Sequence, residues 1–323
     1  MTADPARTVL AAPADYARLC APGQRMLTDA GLSVTLNPHD RPLTPEELLE
    51  LAPRISAAVV GVERWDAELI AAAPHLRILA KQGVGLDNID LDAAARHGVE
   101  VVNVPGGNAN AVAEFAVGLM IAAMRGLVTS AESVRAGQWS RITGPELSGA
   151  TVGIAGFGTI GRLVARRLSG FDVRLIAWDP YPDEEAARAL GVELVSLDAL
   201  VSGADVLSLH VPLLPETRHF VNADLLARMK PGSYLVNTAR GGLVDEDALV
   251  DALSSGRLRG AALDVFAAEP LPVDHPLRTL PGVVATGHVG AESHEAYAAI
   301  SVANATSIIA ALTGPAASRK ELS

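Results

Sequence analysis

The sequence predicts an α/β protein of two domains, each built on a parallel sheet. Three observations carry this. Short β-branched apolar runs alternate with helical runs, the pattern of βα units. The alternation stops at an irregular stretch, Arg125 to Gly149, and restarts at Thr151. The chain has 323 residues, about twice the ~150 of a common domain.

In the first series the expected strands are Thr8–Ala11, Ser33–Leu36, Ala57–Val62, Leu76–Ala80 and Glu100–Val104. Helix signals fall between them. Thr44-Pro45-Glu46-Glu47 sets an N-cap, a first-turn proline and a capping-box glutamate ahead of Leu48, Leu49 and Leu51. Asp90 to His97 reads as a short helix closed by Gly98. A long helix is expected from about Asn108 to Met124. In the second series the strands are Thr151–Ala155, Val173–Trp178, Val192–Val195, Val206–His210, Ser233–Asn237, Gly260–Val265 and Val283–Thr286. A last helix runs from Ser293 to about Thr313, and a frayed tail is expected over Ala316–Ser323.

Composition narrows the function. With 26 Lys+Arg against 37 Asp+Glu the net charge is −11, against the basic patch of a nucleic-acid binder. Only three of the basic residues are lysines: Lys81, Lys230 and Lys320. One cysteine, Cys20, allows neither an internal disulfide nor a multi-cysteine zinc site. The apolar run Ala109–Met124 contains Asn110 and Glu114 and is too short for a bilayer. No secretory leader is recognised in MTADPARTVLAAPAD. The expectation is a cytoplasmic protein with no nucleic-acid or membrane partner.

Gly156, Gly158 and Gly161 form a G-x-G-x-x-G in which Thr159 and Ile160 are the intervening residues. The pattern follows an apolar strand and opens a helix with Leu163, Val164 and Leu168 at helical spacing. A second strand ends at Asp179, 18 residues beyond Gly161. This is the full dinucleotide fingerprint. Gly156 permits the tight turn, Gly158 lets the backbone approach a pyrophosphate, and Gly161 lets helix and strand pack closely. The helix N-terminus supplies amides and positive dipole. Asp179 would accept the ribose hydroxyls and repel a 2′-phosphate, so NAD is expected over NADP.

Three later strands each run into polar residues at Asn237–Gly242, Ala262–Pro270 and Thr286–Ala291. The carboxyl ends of strands line the ligand crevice of open α/β sheets, so Arg240, Glu269 and His288 can converge. Arginine offers a fork to a carboxylate and polarises a keto oxygen. Histidine donates or accepts a proton near neutrality. A carboxylate beside it favours the imidazolium. Facing a nicotinamide, that set fits reversible oxidation of a 2-hydroxy acid. The bland alternatives are an Arg240 salt bridge with Asp245 or Glu246 and a surface charge at Glu269.

These motifs, together with Lys81–Asp90, Asn103–Asn108, Val112-Ala113-Glu114, Asp245-Glu246 and Gly290-Ala291, resemble the D-isomer-specific 2-hydroxyacid dehydrogenases over nearly the whole chain. The likeness is to the phosphoglycerate dehydrogenase-like branch, in a short form without a C-terminal regulatory domain. The resemblance implies two Rossmann-like/flavodoxin-like domains. A substrate domain of 1–104 and 290–323 would receive an inserted NAD domain of 105–289. The helix near Asn108 would serve as hinge and homodimer contact. Arg240, Glu269 and His288 would be catalytic. Val84 and Gly85 amides would bind the substrate carboxylate, with Asn108 nearby. Thr238 and Asp264 would hold the carboxamide. Further cofactor contacts would come from His210, Val211, Pro212, Thr217, Ala239 and Gly290.

The family usually has proline before the catalytic histidine; this chain has Gly287, which leaves the seating of His288 open. Lys81 reads either as a surface lysine or as a second cation for a doubly anionic substrate. Glu292 reads as facing solvent, and His39, His75, His97, His219, His275 and His294 as surface residues. Three functions stand: an NAD-dependent D-2-hydroxyacid dehydrogenase with a small, possibly phosphorylated anion as substrate; the same scaffold acting on a phosphonate or phosphite; and a non-enzymatic NAD-binding scaffold, as in relatives that act as corepressors.

Overall fold

The computed structural model describes residues 4–314, so the expected frayed tail lies outside the described residues. The chain divides into two compact units, one from residues 1–108 with 292–323 and one from 109–291. Both are α/β.

The first unit holds β1 (Thr8–Ala11), β2 (Ser33–Leu36), β3 (Ala57–Val60), β4 (Ile78–Lys81) and β5 (Glu100–Val102). They form a five-stranded sheet in the order β2-β1-β3-β4-β5, with every pairing parallel. That is a flavodoxin-like order. β1 and β3 are buried along their whole length, because a parallel sheet covered on both faces needs apolar residues on both. The Pro45–Leu51 helix starts with the expected capping box of Thr44 and Glu47. The His294–Thr313 helix is long and apolar enough by composition to cross a membrane. Within the unit it packs on the Ala21–Asp29 helix and on β4 and buries Ala296, Ile300, Ala305 and Ile308, with 33% of the apolar window buried.

The second unit holds β6 (Thr151–Ala155), β7 (Arg174–Trp178), β8 (Glu193–Leu194), β9 (Val206–Leu209), β10 (Ser233–Asn237), β11 (Leu258–Leu263) and β12 (Val283–Ala285). The sheet order is β12-β11-β10-β9-β6-β7-β8. The order reverses between β6 and β9, the topological switch point of a doubly wound Rossmann fold. The Ala109–Arg125 helix packs against the Thr159–Leu168 helix and against β10 and β11. It turns ten residues inward, among them Val112, Ala116, Leu119 and Met120.

Two regions depart from the expectation. A second helix, Leu127–Arg135, occupies part of the stretch read as irregular. Gly126 in the left-handed region (φ +57°) separates it from the helix before. Leu127, Val134 and Trp139 are exposed, Trp139 by 83%, so no core-facing periodicity marked it. Strand ends also shift. The apolar run reaching Val104 pairs only to Val102, and beyond it the Asn103 side chain donates through Nδ2 to the Val84 carbonyl at 2.6 Å.

Candidate active site

The fingerprint turn follows β6 at the switch point. Gly156 has φ +94°, and a Cβ there would lie 2.6 Å from the carbonyl of His210, at the end of β9. Only glycine lets the two strand ends come this close. A Cβ at Gly161 would sit 2.2 Å from the Gly156 carbonyl oxygen, so helix and turn also touch through bare backbone. Gly158 is the N-cap of the Thr159–Leu168 helix. It provides no side-chain cap, and the first turn carries no acidic residue. A Cβ at Gly158 would meet nothing within 4 Å. The amides of Thr159, Ile160 and Gly161 therefore begin a helix with an uncapped, positive N-terminus, the arrangement that binds phosphate.

The Asp179 carboxylate faces this turn. One oxygen accepts from the Phe157 amide at 2.7 Å and the other from the Tyr181 amide at 2.8 Å. Each keeps a lone pair for a hydroxyl. The Thr238 hydroxyl, after β10, is buried with no partner in the structure. A buried hydroxyl left unpaired costs free energy, so its position fits a missing polar ligand. The open phosphate cradle, the carboxylate beside it and the orphaned hydroxyl together suit a dinucleotide.

Other residues around this end have structural partners. His210 hydrogen-bonds Ser208 through Nε2 at 2.9 Å, and burial pushes its pKa down to about 4. It is a neutral brace. Val211 is buried. The Thr217 hydroxyl donates to the Pro212 carbonyl at 2.7 Å, closing that loop on itself. The Ala239 amide donates to the Asn237 side chain at 3.0 Å, and Asn237 in turn donates to the Arg240 carbonyl at 2.9 Å. A Cβ at Gly241 would fall 1.9 Å from the Phe266 carbonyl carbon. The backbone that carries Arg240 thus rests directly on the loop that carries Glu269.

Glu269 and His288 are in contact, Oε2 to Nδ1, at 2.7 Å. The pair is partly open, with the side chains 37% and 45% exposed. A carboxylate only accepts, so this contact places a proton on Nδ1. The Glu269 hydrogen bond raises the His288 pKa above the ordinary histidine value; burial and the Arg240 charge oppose this, while the charges of Glu269 and Asp264 assist. Burial pushes the Glu269 carboxyl up, but the His288 hydrogen bond, the Phe266 amide and the charges of His288 and Arg240 leave it lowered. Both directions describe an imidazolium–carboxylate pair.

His288 itself has φ +57°, a left-handed conformation that costs a non-glycine residue about 1–2 kcal/mol. Asp264 holds it there. The His288 amide donates to the Asp264 carbonyl at 2.8 Å. The Val289 amide donates to Oδ1 at 2.9 Å, the Gly290 amide to Oδ2 at 2.7 Å and the Thr286 hydroxyl to Oδ1 at 2.6 Å. The freedom of Gly287 is not used for a positive φ; the strain falls on the histidine. Sequence reasoning gave Asp264 a part in cofactor binding and missed its part in seating His288.

The substrate-binding candidates of the first unit are held by their own network. The Lys81 ammonium donates to the Gly61 carbonyl and, at 2.8 Å, to Asn88 Oδ1. Asn88 donates to the Glu63 carbonyl at 2.6 Å. Glu63 is buried, which raises its pKa, and the Lys81 charge opposes the rise. Val84 and Gly85 lie in the loop after β4, and Asn108 lies just before the helix that opens at Ala109. Glu292 is exposed, as expected, and accepts from the Tyr297 hydroxyl at 2.6 Å. The surface reading fails for His275, which is largely buried against Glu246.

Comparison with known proteins adds four findings. The family model described as D-isomer specific 2-hydroxyacid dehydrogenase, NAD binding domain, matches residues 117–290. The chain is 46% identical over 272 residues to a D-3-phosphoglycerate dehydrogenase of Mycobacterium tuberculosis, covering 83% of this chain but only 51% of that protein. It is 39% identical over 312 residues to a glyoxylate reductase of Thermofilum pendens, covering 93% and 92%. Among solved structures, the apo-structure of D-lactate dehydrogenase from Escherichia coli superposes with a TM-score of 0.85 at 32% identity, covering 95% of this chain and 97% of that one.

Proposed function

The chain belongs to the D-isomer-specific 2-hydroxyacid dehydrogenase family, and from that premise we propose that it interconverts a D-2-hydroxy acid and its 2-keto acid, with Arg240, Glu269 and His288 as the catalytic set. NAD, when bound, supplies the hydride acceptor or, as NADH, the donor. The observation that carries the reading is the 2.7 Å contact between Glu269 and His288, because a histidine held and charged by a carboxylate is what a keto oxygen needs as it gains a proton.

In the reducing direction His288 gives its Nε2 proton to the carbonyl oxygen and ends as neutral imidazole. In the oxidising direction the neutral ring takes the hydroxyl proton and ends as imidazolium, stabilised by Glu269. Arg240 binds the substrate carboxylate through its fork and polarises the reacting oxygen. Gly158, Thr159, Ile160 and Gly161 hold the pyrophosphate by backbone amides, and Asp179 takes the ribose hydroxyls. Thr238 offers its hydroxyl to the carboxamide. The amides of Val84 and Gly85 are assigned to the substrate carboxylate.

The substrate is a small anion. A phosphorylated acid of the 3-phosphoglycerate type is favoured by the 46% identity to a D-3-phosphoglycerate dehydrogenase, although this chain spans about half the length of that relative. A second copy of the chain is the proposed partner, covering exposed Leu127, Val134 and Trp139 about a two-fold axis. A dimeric mass by light scattering at micromolar concentration is expected; a monomeric one overturns that assignment.

The test is a panel of 2-keto acids — glyoxylate, pyruvate, hydroxypyruvate and 3-phosphohydroxypyruvate — with NADH consumption as readout. Sustained turnover with one or more of them is expected. Cofactor binding with no turnover on any, or on the corresponding D-hydroxy acids with NAD, would make the chain a scaffold instead.

A further inference from the structure

We propose that Glu246 is a positioning residue for the acid/base pair: its carboxylate closes the 267–275 loop, which carries Glu269, at both ends. The proposal rests on the dehydrogenase reading for its functional meaning but not for its geometry.

The loop leaves the sheet after β11 and returns at the short 276–278 turn. Residues 267–270 and 272–274 are exposed, and none of them lies in a helix or strand. Such a segment is costly to order unless something fixes it. Glu246 fixes its two ends. Oε1 accepts from the Ala267 amide at 2.8 Å, and Oε2 lies 3.3 Å from His275 Nε2. The side chains of Glu246 and His275 are only 13% and 19% exposed. His275 is set up for this role. Its Nδ1 accepts from the Leu277 amide at 3.3 Å, which puts the proton of the neutral ring on Nε2, the nitrogen within ion-pair distance of Glu246.

Helix capping does not explain Glu246. Asp245 already caps the Glu246–Ser254 helix by accepting from the Ala248 amide, and the neighbouring first-turn acid Asp247 is exposed to solvent. Glu246 alone turns toward the loop. The consequence runs through two consecutive amides. Ala267 gives its N–H to Glu246, and Phe266 gives its N–H to Glu269 Oε1 at 2.9 Å. The other Glu269 oxygen holds His288. The same Phe266–Ala267 peptide is the one on which Gly241 rests. One carboxylate thus sets the register between the segment carrying Arg240 and the segment carrying Glu269.

The charges that act most strongly on His288 are those of Glu269, Arg240 and Asp264. Glu246 instead contacts the backbone beside Glu269, so its removal is expected to act on His288 through the position of Glu269. The test reads His288 directly, by NMR titration of ring-labelled histidine in the wild-type chain and in Glu246→Ala, Glu246→Gln and His275→Gln. With alanine the His288 pKa is expected to fall by about 0.5 unit or more, as the carboxylate partner is less well held. Reduction should slow on the order of 10–100-fold in kcat, the cost of a misplaced group, with little change in KM for NADH. Glutamine keeps an oxygen for the Ala267 amide and should recover most of both effects. His275→Gln releases one end only and should give a smaller shift of the same sign.

A His288 that titrates as in wild type in Glu246→Ala overturns the proposal, as does glutamine proving as harmful as alanine. If Glu246→Ala fails to fold, His275→Gln carries the test, and no shift there overturns the proposal. The titration needs no turnover. A fallen His288 pKa in a chain inactive on every keto acid supports the clamp and removes the dehydrogenase reading instead.

Discussion

The turn from Gly156 to Thr159 and the two segments that carry Glu269 and His288, residues 264–269 and 286–290, stand at strand ends of the same sheet, yet they treat most of their amides differently. In the turn, the Phe157 amide goes to Asp179, but no side chain caps the helix that follows. In the two segments, the amides of Phe266, Ala267, Val289 and Gly290 all donate to carboxylates. The difference follows from what each must do. A pyrophosphate brings its own charge and acceptors, so bare backbone is enough. A proton must be moved by a side chain at a fixed place, and carboxylates that accept these four amides hold the segments at that place.

The largest effect should come from these segments. His288→Ala is expected to lower kcat for keto-acid reduction about 10²–10⁴-fold, the range for losing a positioned acid. NADH affinity, read by fluorescence titration, should stay close to wild type, because the turn is untouched. Equal loss of cofactor binding would mean that the two regions are not separate devices.

Filling the turn should give the converse. Gly158→Asp places a carboxylate in open space at the helix N-terminus. The helix should gain a few tenths of a kcal/mol as aspartate caps better than glycine, seen as a small rise in Tm. NADH affinity should fall about tenfold or more as the carboxylate meets the phosphates. Gain of stability with loss of binding is the signature of amides reserved for a ligand; unchanged binding would assign them to solvent.

A smaller effect is expected at Asp179. Asp179→Ala removes the acceptor for the ribose hydroxyls and the repulsion of a 2′-phosphate. NAD use should weaken several-fold, on the order of 1 kcal/mol as for a typical net hydrogen bond, and the gap to NADP should narrow. A wild-type chain that prefers NADP would contradict the role given to this carboxylate.

The two regions also differed in how far the sequence revealed them. The turn was legible because its signal is local. Three glycines at fixed spacing, a strand before them and an acid after the next strand determine the geometry within thirty residues. Arg240, Glu269 and His288 were legible as polar residues at three strand ends, since sheet topology brings strand ends together. Their supports were not. Nothing local marks Asp264 as the anchor of three successive amides, or His288 as left-handed with Gly287 beside it. Glu246 read only as part of a motif and as a salt-bridge alternative for Arg240, and His275 as a surface histidine, because their contact closes only when a loop of undefined path returns. The Leu127–Arg135 helix was missed for a related reason, since its apolar residues face outward and give no core periodicity.

The central claim is that Glu269 sets the charge state of His288, and pH–rate profiles of wild type and Glu269→Gln in both directions test it most directly. Reduction needs the imidazolium and oxidation needs the neutral ring. Histidine begins near ~6.5, and the Glu269 hydrogen bond raises it, so wild-type reduction should persist above that value and decline as pH climbs through the raised pKa. Glutamine removes the charge and much of the hydrogen-bond stabilisation of the imidazolium. The decline of kcat/KM for reduction should then move to lower pH, and the rise of oxidation should move the same way. Profiles that superimpose in both directions would show that Glu269 does not control His288.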